Sequence, residues 1–324
     1  MGETRLDTLI ANQMITNGVM GQGKTFFVKP INGADGQSGR SPRAALKTLG
    51  AALAKCTTGN NDTVYLLSEG NTASTTTDYQ STTLDWNLNS THLIGVCAGG
   101  PHSKRARIAW LSTASSASDI PLLTVSGNNC RIENISVAVG INDANLSFGV
   151  NVTGDNNVFD NIDIAFPQHA TNDASGAYAL KIDGCDQTLF RHSTFGSFTI
   201  DLGTAANSLL LIDGGCSMVK FEDCDFIERI EHTTNSPFVR TADANALGFG
   251  CVWFKRCNFI STSVSAGYAQ AAAMTITAAQ VDGRIILSDC WTNAAKWDNT
   301  DADMILAGNA PTPAADTSGV LKAV

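Results

Sequence analysis

Phe190-Arg-His-Ser-Thr-Phe195 is followed 31 residues later by Phe221-Glu-Asp-Cys-Asp-Phe226. The same frame recurs in Ile132-Glu-Asn-Ile-Ser-Val137, Phe159-Asp-Asn-Ile-Asp-Ile164, Phe254-Lys-Arg-Cys-Asn-Phe259 and Leu287-Ser-Asp-Cys-Trp-Thr292, at successive spacings of 27, 31, 31, 33 and 33 residues. Repeats of this length mark solenoids, in which each unit buries its apolar face only against its neighbours. Within one frame, two apolar positions flank two polar ones, which a single flat strand cannot accommodate because its side chains alternate. The chain must therefore bend inside the frame. Asn134 and Asn161 stand at the bend, and Asn tolerates the left-handed backbone a sharp turn needs. His192, Asp223, Arg256 and Asp289 fall in the same column.

Stacking the frames gives columns. Ile132, Phe159, Phe190, Phe221, Phe254 and Leu287 form one inward ladder; Val137, Ile164, Phe195, Phe226 and Phe259 form a second; Ile135, Ile162, Ser193, Cys224, Cys257 and Cys290 form a third. The prediction is an all-β, right-handed parallel β-helix, with like residues stacked at about 4.8 Å.

Composition agrees. The 324 residues are 43% hydrophobic and only 16% charged, with a net charge of −9. The acidic balance and the lack of a basic run argue against a nucleic-acid partner. No stretch approaches the roughly 18 apolar residues of a membrane span, and Met1-Gly-Glu-Thr-Arg-Leu-Asp7 has neither the cationic nor the apolar region of a secretory signal. Folding in a cytosol is expected. The nine cysteines, an odd number without CxxC or Cys/His zinc spacing, are then buried thiols, and Asn89, Asn145 and Asn151 are not glycan acceptors. No cofactor or metal is expected.

Upstream, Thr25-Phe-Phe-Val-Lys-Pro-Ile-Asn-Gly-Ala-Asp-Gly-Gln-Ser-Gly-Arg-Ser-Pro42 precedes Leu46-Lys-Thr-Leu-Gly-Ala-Ala-Leu53 and Asp62-Thr-Val-Tyr-Leu-Leu-Ser-Glu-Gly70. This order resembles the opening of pectate-lyase-like right-handed β-helix proteins. The resemblance implies a strand, a glycine-rich turn, a short capping helix and the first coil. Independently, Ser41 as N-cap, Pro42 at the first helical position and Leu46, Leu49, Leu53 at helical spacing predict a helix over 42–55 that plugs the open end. The organisation expected is an N-terminal anchoring arm at 1–24, a strand, turn and capping helix at 25–61, the β-helix at 62–297 and a C-terminal arm at 298–324. Leu6, Leu9, Ile10 and Met14 give the first arm an apolar stripe suited to anchoring on a partner.

Gly18-Val-Met-Gly-Gln-Gly-Lys-Thr25 satisfies the phosphate-binding loop pattern, but a strand is predicted where that loop must open a helix, so the reading is a glycine hinge. The acids Asp160, Asp163, Asp183, Asp186, Asp213, Glu222, Asp223 and Asp225 are the candidates for glycoside chemistry, with Asp160/Asp163 or Glu222/Asp225 as possible pairs. Their columns suggest another role. Glu133, Asp160, Arg191, Glu222, Lys255, Ser288 and Asn134, Asn161, His192, Asp223, Arg256, Asp289 place most charges one coil from an opposite sign, a pattern that fixes register. His192 reads as a turn histidine bonded to Asn161 or Asp223. Trp291 is placed outward, Trp86 and Trp110 under loops. No catalytic residue is assigned, and an enzyme is disfavoured without being excluded.

The outward column Arg131, Val158, Leu189, Lys220, Trp253, Ile286 carries four apolar residues where water is expected, which marks an interface. A homotrimer, the state of the phage spikes this fold resembles, is expected to use Val158, Leu189, Trp253 and Ile286. Together with the arms, this resembles a virion component of a tailed bacteriophage assembled in the host cytoplasm. A capsid decoration or cement protein touching the major capsid protein through the N-terminal arm is favoured. The alternatives are a tail spike or fibre binding host surface glycan, and a β-helix polysaccharide lyase or hydrolase.

Overall fold

The computed structural model describes residues 23–68, 77–97, 100, 104–202, 204, 206–230, 236–263, 270–276, 280, 283–298 and 304–307, the last four and 263 by backbone alone. Leu6, Leu9, Ile10 and Met14 lie outside the described residues, as does most of the glycine-rich segment at 18–25.

The repeated frame folds as two short strands joined at a corner. Arg131–Glu133, Val158–Asp160, Leu189–Arg191, Val219–Glu222, Cys251–Lys255 and Arg284–Ser288 pair in parallel in a first sheet. Ser136–Ala138, Asp163–Ala165, Thr194–Leu202, Asp225–Ile230, Asn258–Ser263 and Trp291–Thr292 pair in a second. A third sheet, built from Leu84–Trp86, Pro121–Val125, Phe148–Val152, Tyr178–Asp183, Ser208–Asp213, Val239–Thr241 and Met274–Thr275, closes each coil. Among the described residues the three sheets have 10, 8 and 7 strands, so seven coils contribute a strand to each. The chain is a parallel β-helix.

Register matches the frame. Phe159 stands opposite Ile132 and Phe190, Phe221 opposite Phe190 and Phe254, and Phe254 opposite Leu287. Rings in the first ladder stack nearly parallel: centroids are 4.5 Å apart for Phe159–Phe190, 4.7 Å for Phe190–Phe221 and 4.9 Å for Phe221–Phe254. The second ladder meets the first edge-on, Phe195 lying 5.9 Å from Phe221 at 76°. Offset stacks along the axis and T-shaped contacts across it are the two arrangements the ring quadrupole favours. In the third ladder, the Cys224, Cys257 and Cys290 thiols point at the carbonyls of Phe190, Phe221 and Phe254 in the preceding coils. None of the nine cysteines is in a disulfide, and six are buried.

The corner uses the left-handed backbone throughout: φ is 56° at Asn134, 51° at Asn161 and His192, 53° at Asp223, 52° at Arg256 and 55° at Asp289. Each residue from Asn134 to Arg256 donates its amide to a carbonyl of the next coil, as in Asn161 to Arg191 at 3.0 Å. A corner of the same backbone type precedes the first sheet, at Asn61, Ser90, Asn129, Asn156, Gln187 and Met218.

The expected helix over 42–55 is not continuous. Pro42–Ala44 is a single 3-10 turn capped by Ser41, and a helix forms only over Leu49–Leu53, capped by Thr48. Between them Leu46 is extended: its amide donates to Phe27 and its carbonyl accepts from Lys29, while Asp35 accepts the amides of Lys47 and Thr48. Pairing with the edge of Thr25–Val28 wins over helix propensity because it satisfies backbone groups that the first strand would otherwise leave open. Leu46, Leu49, Ala52 and Leu53 are still buried in the core beside Phe26 and Val64, so the segment caps the coil. Asp78 joins this cap to the second sheet by accepting the Leu49 amide, and burial pushes its carboxyl up to about 7.

At the other end the first sheet runs past residue 297. Met304–Ala307 pairs with Arg284–Ser288, so part of the segment assigned to a C-terminal arm is a further rung.

Candidate functional site

On a strand that packs one face inward, the alternate residues stand outward, and the first sheet presents two such columns. One contains Arg131, Val158, Leu189, Lys220, Trp253 and Ile286 in direct register. Val158, Leu189, Trp253 and Ile286 are half-buried, and the Lys220 ammonium lies over the Trp253 ring, 5.2 Å from its centroid. The stem of the one lysine thus extends the apolar stripe.

The second column carries the charges. Asp160 is its centre: Arg191 donates to it at 2.7 Å, Arg131 approaches at 3.4 Å, and His192 Nδ1 lies 3.0 Å from Oδ1. Arg131 also pairs with Glu133 at 2.7 Å. Burial pushes the Asp160 carboxyl up, but the bonds from Arg191 and His192 and their charges outweigh it and hold the group below the usual carboxylate range. His192 is the hydrogen-bonded turn residue anticipated, with Asp160 as its partner instead of Asn161 or Asp223.

Four of the other candidate acids also bond residues of a neighbouring coil. Asp223 accepts from Nε and Nη2 of Arg256, at 2.7 and 2.6 Å. Asp225 accepts from Asn258 at 2.8 Å, and Asp163 from Ser136 at 2.9 Å. Asp186 accepts the Ser217 amide and donates its own to Asp155, each link crossing one coil. Asp160 and Asp163 stand on different sheets on either side of a corner, as do Glu222 and Asp225. Neither pair shares one face across a cleft. Trp86 is fully buried with its indole nitrogen bonded to the Thr91 carbonyl, Trp110 is buried as well, and Trp291 is partly exposed.

Two charged features were not anticipated. On the third sheet, Lys181 reaches Asp183 and Asp213 of the next coil, each at 2.9 Å. The matching tetrapeptides Lys181-Ile-Asp-Gly184 and Leu211-Ile-Asp-Gly214 carried that signal at a spacing of 30 residues. At the edge of this sheet a cavity of about 380 Å³ is lined by Asp213, Asp243, Asn245 and Phe249 over a floor of glycines.

The second feature is Glu228, which shares the inward parity of Phe226 and Ile230. It is fully buried, both carboxyl oxygens lack a hydrogen-bond partner among the described residues, and burial pushes the group well above the usual carboxylate range. It lies inside the coil, where no substrate reaches. A carboxyl raised in the folded state favours folding below its ordinary pKa and loses that advantage as pH rises through the folded value. Glu228→Gln is therefore expected to raise the urea unfolding free energy at pH 7.5 by about 1–2 kcal/mol and to match the parent near pH 4. Equal stability of the two proteins across that range would contradict this assignment.

Among the described residues no group of three or more His, Cys, Asp or Glu converges as a metal would require. No family model matches the chain, and no curated protein matches it. Among solved structures it is similar to pectate lyase Pel9A, with a TM-score of 0.52 and 11% identity over 85% of this chain and 68% of that one. A pectin methylesterase variant in complex with a hexasaccharide gives a TM-score of 0.43 at 11% identity, covering 91% of this chain and 93% of that one. A lacto-N-biosidase from Eubacterium ramulus gives 0.33 at 10% identity, covering 90% and 71%. At 11% identity the likeness to pectate lyase Pel9A shows a shared fold alone, that of the parallel β-helix.

Proposed function

We propose that this chain is a non-enzymatic structural component of a tailed-phage virion, a homotrimeric β-helix attached to the particle surface as a capsid decoration or cement protein. The observation that carries the reading is the outward column of the first sheet. Val158, Leu189, Trp253 and Ile286 align along the coil axis on a face that no strand or helix among the described residues covers, and the neighbouring column is already neutralised by the Arg131–Glu133–Asp160–Arg191 network. Such a face is flat, rigid and partly apolar, which suits association with copies of itself. Six of the candidate acids, Asp160, Asp163, Asp186, Asp213, Asp223 and Asp225, link neighbouring coils, which favours a rod over a hydrolase. Anchoring through Leu6, Leu9, Ile10 and Met14 and assembly in the host cytoplasm belong to this reading.

Leu189→Arg tests it. The substitution puts a charge in the middle of the stripe without touching the core, so sedimentation velocity at micromolar concentration should show the parent as a trimer and the variant as a monomer of unchanged melting temperature. A parent that sediments as a monomer overturns the reading. Release of reducing ends from host capsular polysaccharide would favour a lyase or hydrolase.

A further inference from the structure

Phe249 is 92% exposed, far more than any other large hydrophobic residue described. It sits between Gly248 and Gly250 in the connection from Val239–Thr241 to Cys251–Lys255, and it forms one wall of the cavity beside the third sheet. Exposure of this kind has no folding purpose, and a phenyl face held beside polar groups is a surface for a ligand.

The remaining walls define the ligand. Asp213 is fixed twice, by the Gly214 amide at 2.8 Å and by Lys181 at 2.9 Å, which orients its carboxylate and offsets its charge. Asp243 accepts the Asn245 amide at 2.7 Å and makes no ion pair among the described residues. The Asn245 side chain is exposed beside it. The floor is bare backbone. Gly214 and Gly215 have φ of 68° and 82°, and a Cβ on Gly248 would lie 2.3 Å from the Gly215 carbonyl oxygen, so adjacent coils approach as closely as glycine allows. At about 380 Å³ the cavity falls within the range of small-ligand sites.

We propose that this cavity binds a neutral pyranose unit of a surface polysaccharide. The sugar's apolar C–H face would lie on Phe249, and its hydroxyls would donate to Asp213 and Asp243 and bond the Asn245 amide. Two carboxylates on a chain of net charge −9 disfavour uronates and other acidic sugars. The assignment rests on the virion reading, in which a particle-surface protein meets the host envelope, and gives that protein a second task of adhesion.

An array of bacterial surface oligosaccharides, with hits confirmed by saturation-transfer NMR on the full chain, tests the site. At least one neutral oligosaccharide should bind, and Phe249→Ala should weaken it tenfold or more with unchanged melting temperature and sedimentation. Asn245→Ala should weaken it as well. The site is overturned if no neutral oligosaccharide binds, if Phe249→Ala binds within twofold of the parent, or if only tetramethylammonium or calcium perturbs Phe249. Sedimentation of the same samples separates the two readings. A monomer that binds sugar through Phe249 overturns the trimer and keeps the site, whereas a trimer that binds none overturns the site alone.

Discussion

Phe221→Ala should lower the unfolding free energy by about 3–5 kcal/mol, read from urea denaturation monitored by far-UV circular dichroism. Phe221 has no exposed surface and sits between Phe190 and Phe254 in the stacked ladder, with centroids at 4.7 and 4.9 Å. It also meets Phe195 and Phe226 of the second ladder at 5.9 and 5.8 Å. Coils above and below hold these neighbours by parallel pairing, so they cannot collapse into the space an alanine leaves. The cost is thus the transfer of the ring plus an unrelaxed cavity. Phe221→Leu, which keeps most of the volume, should cost about 1–2 kcal/mol. A loss below 1 kcal/mol for the alanine variant would mean that the ladder is loosely packed.

Asp160→Ala is expected to cost about 2–3 kcal/mol, the next largest effect. The carboxylate is mostly buried and joins three coils through Arg131, Arg191 and His192, so its removal takes from Arg191 its ion-pair partner at 2.7 Å and leaves Arg131 with Glu133 alone. Both arginines retain some access to water, which keeps the loss below that of a fully enclosed pair. The pH dependence identifies the cause. A carboxyl held below its ordinary pKa in the folded state stabilises above the unfolded value and loses that contribution as pH falls through the folded value. The parent should therefore lose stability on acidification below about pH 4, and Asp160→Asn should show a shallower loss over the same interval. Glu228 acts with the opposite sign at higher pH, which separates the two groups in a single titration.

The fold was legible because one frame carries both sides of a corner. Phe at the first and last positions and polar residues between them predicted two strands and a bend, and the register places Phe159, Phe190, Phe221 and Phe254 in one column as the frame requires. Asn134 and Asn161 announced the left-handed turn, and position alone extended it to His192, Asp223, Arg256 and Asp289. The other left-handed corner lies before the repeated frame and so outside it; Asn61, Asn129 and Asn156 carried the same signal there, whereas Gln187 and Met218 have no intrinsic preference for that conformation. The third sheet was harder to see, since the loops before it vary in length and the frame does not include it. Its ion pair, Lys181 with Asp183 and Asp213, went unread for that reason, as did the cavity beside Phe249. The cap shows the limit of local signals: Ser41, Pro42 and the leucine spacing favoured one helix, and strand pairing at Leu46 divided it.

The acids bear on what the shared fold implies about chemistry. Eight of them sit on a scaffold shared with pectate lyase Pel9A, yet Asp160, Asp223 and Asp213 are tied to Arg191, Arg256 and Lys181 across coils, and Asp183 to Lys181 within its own strand. A group already committed to a neighbouring guanidinium or ammonium must break that pairing before it can serve as a base.

Native mass spectrometry of the full chain tests the central proposal most directly. A structural rod associating through Val158, Leu189, Trp253 and Ile286 should appear at three times 34.0 kDa and shift to a single copy on Leu189→Arg. A parent found only at 34.0 kDa would contradict the account.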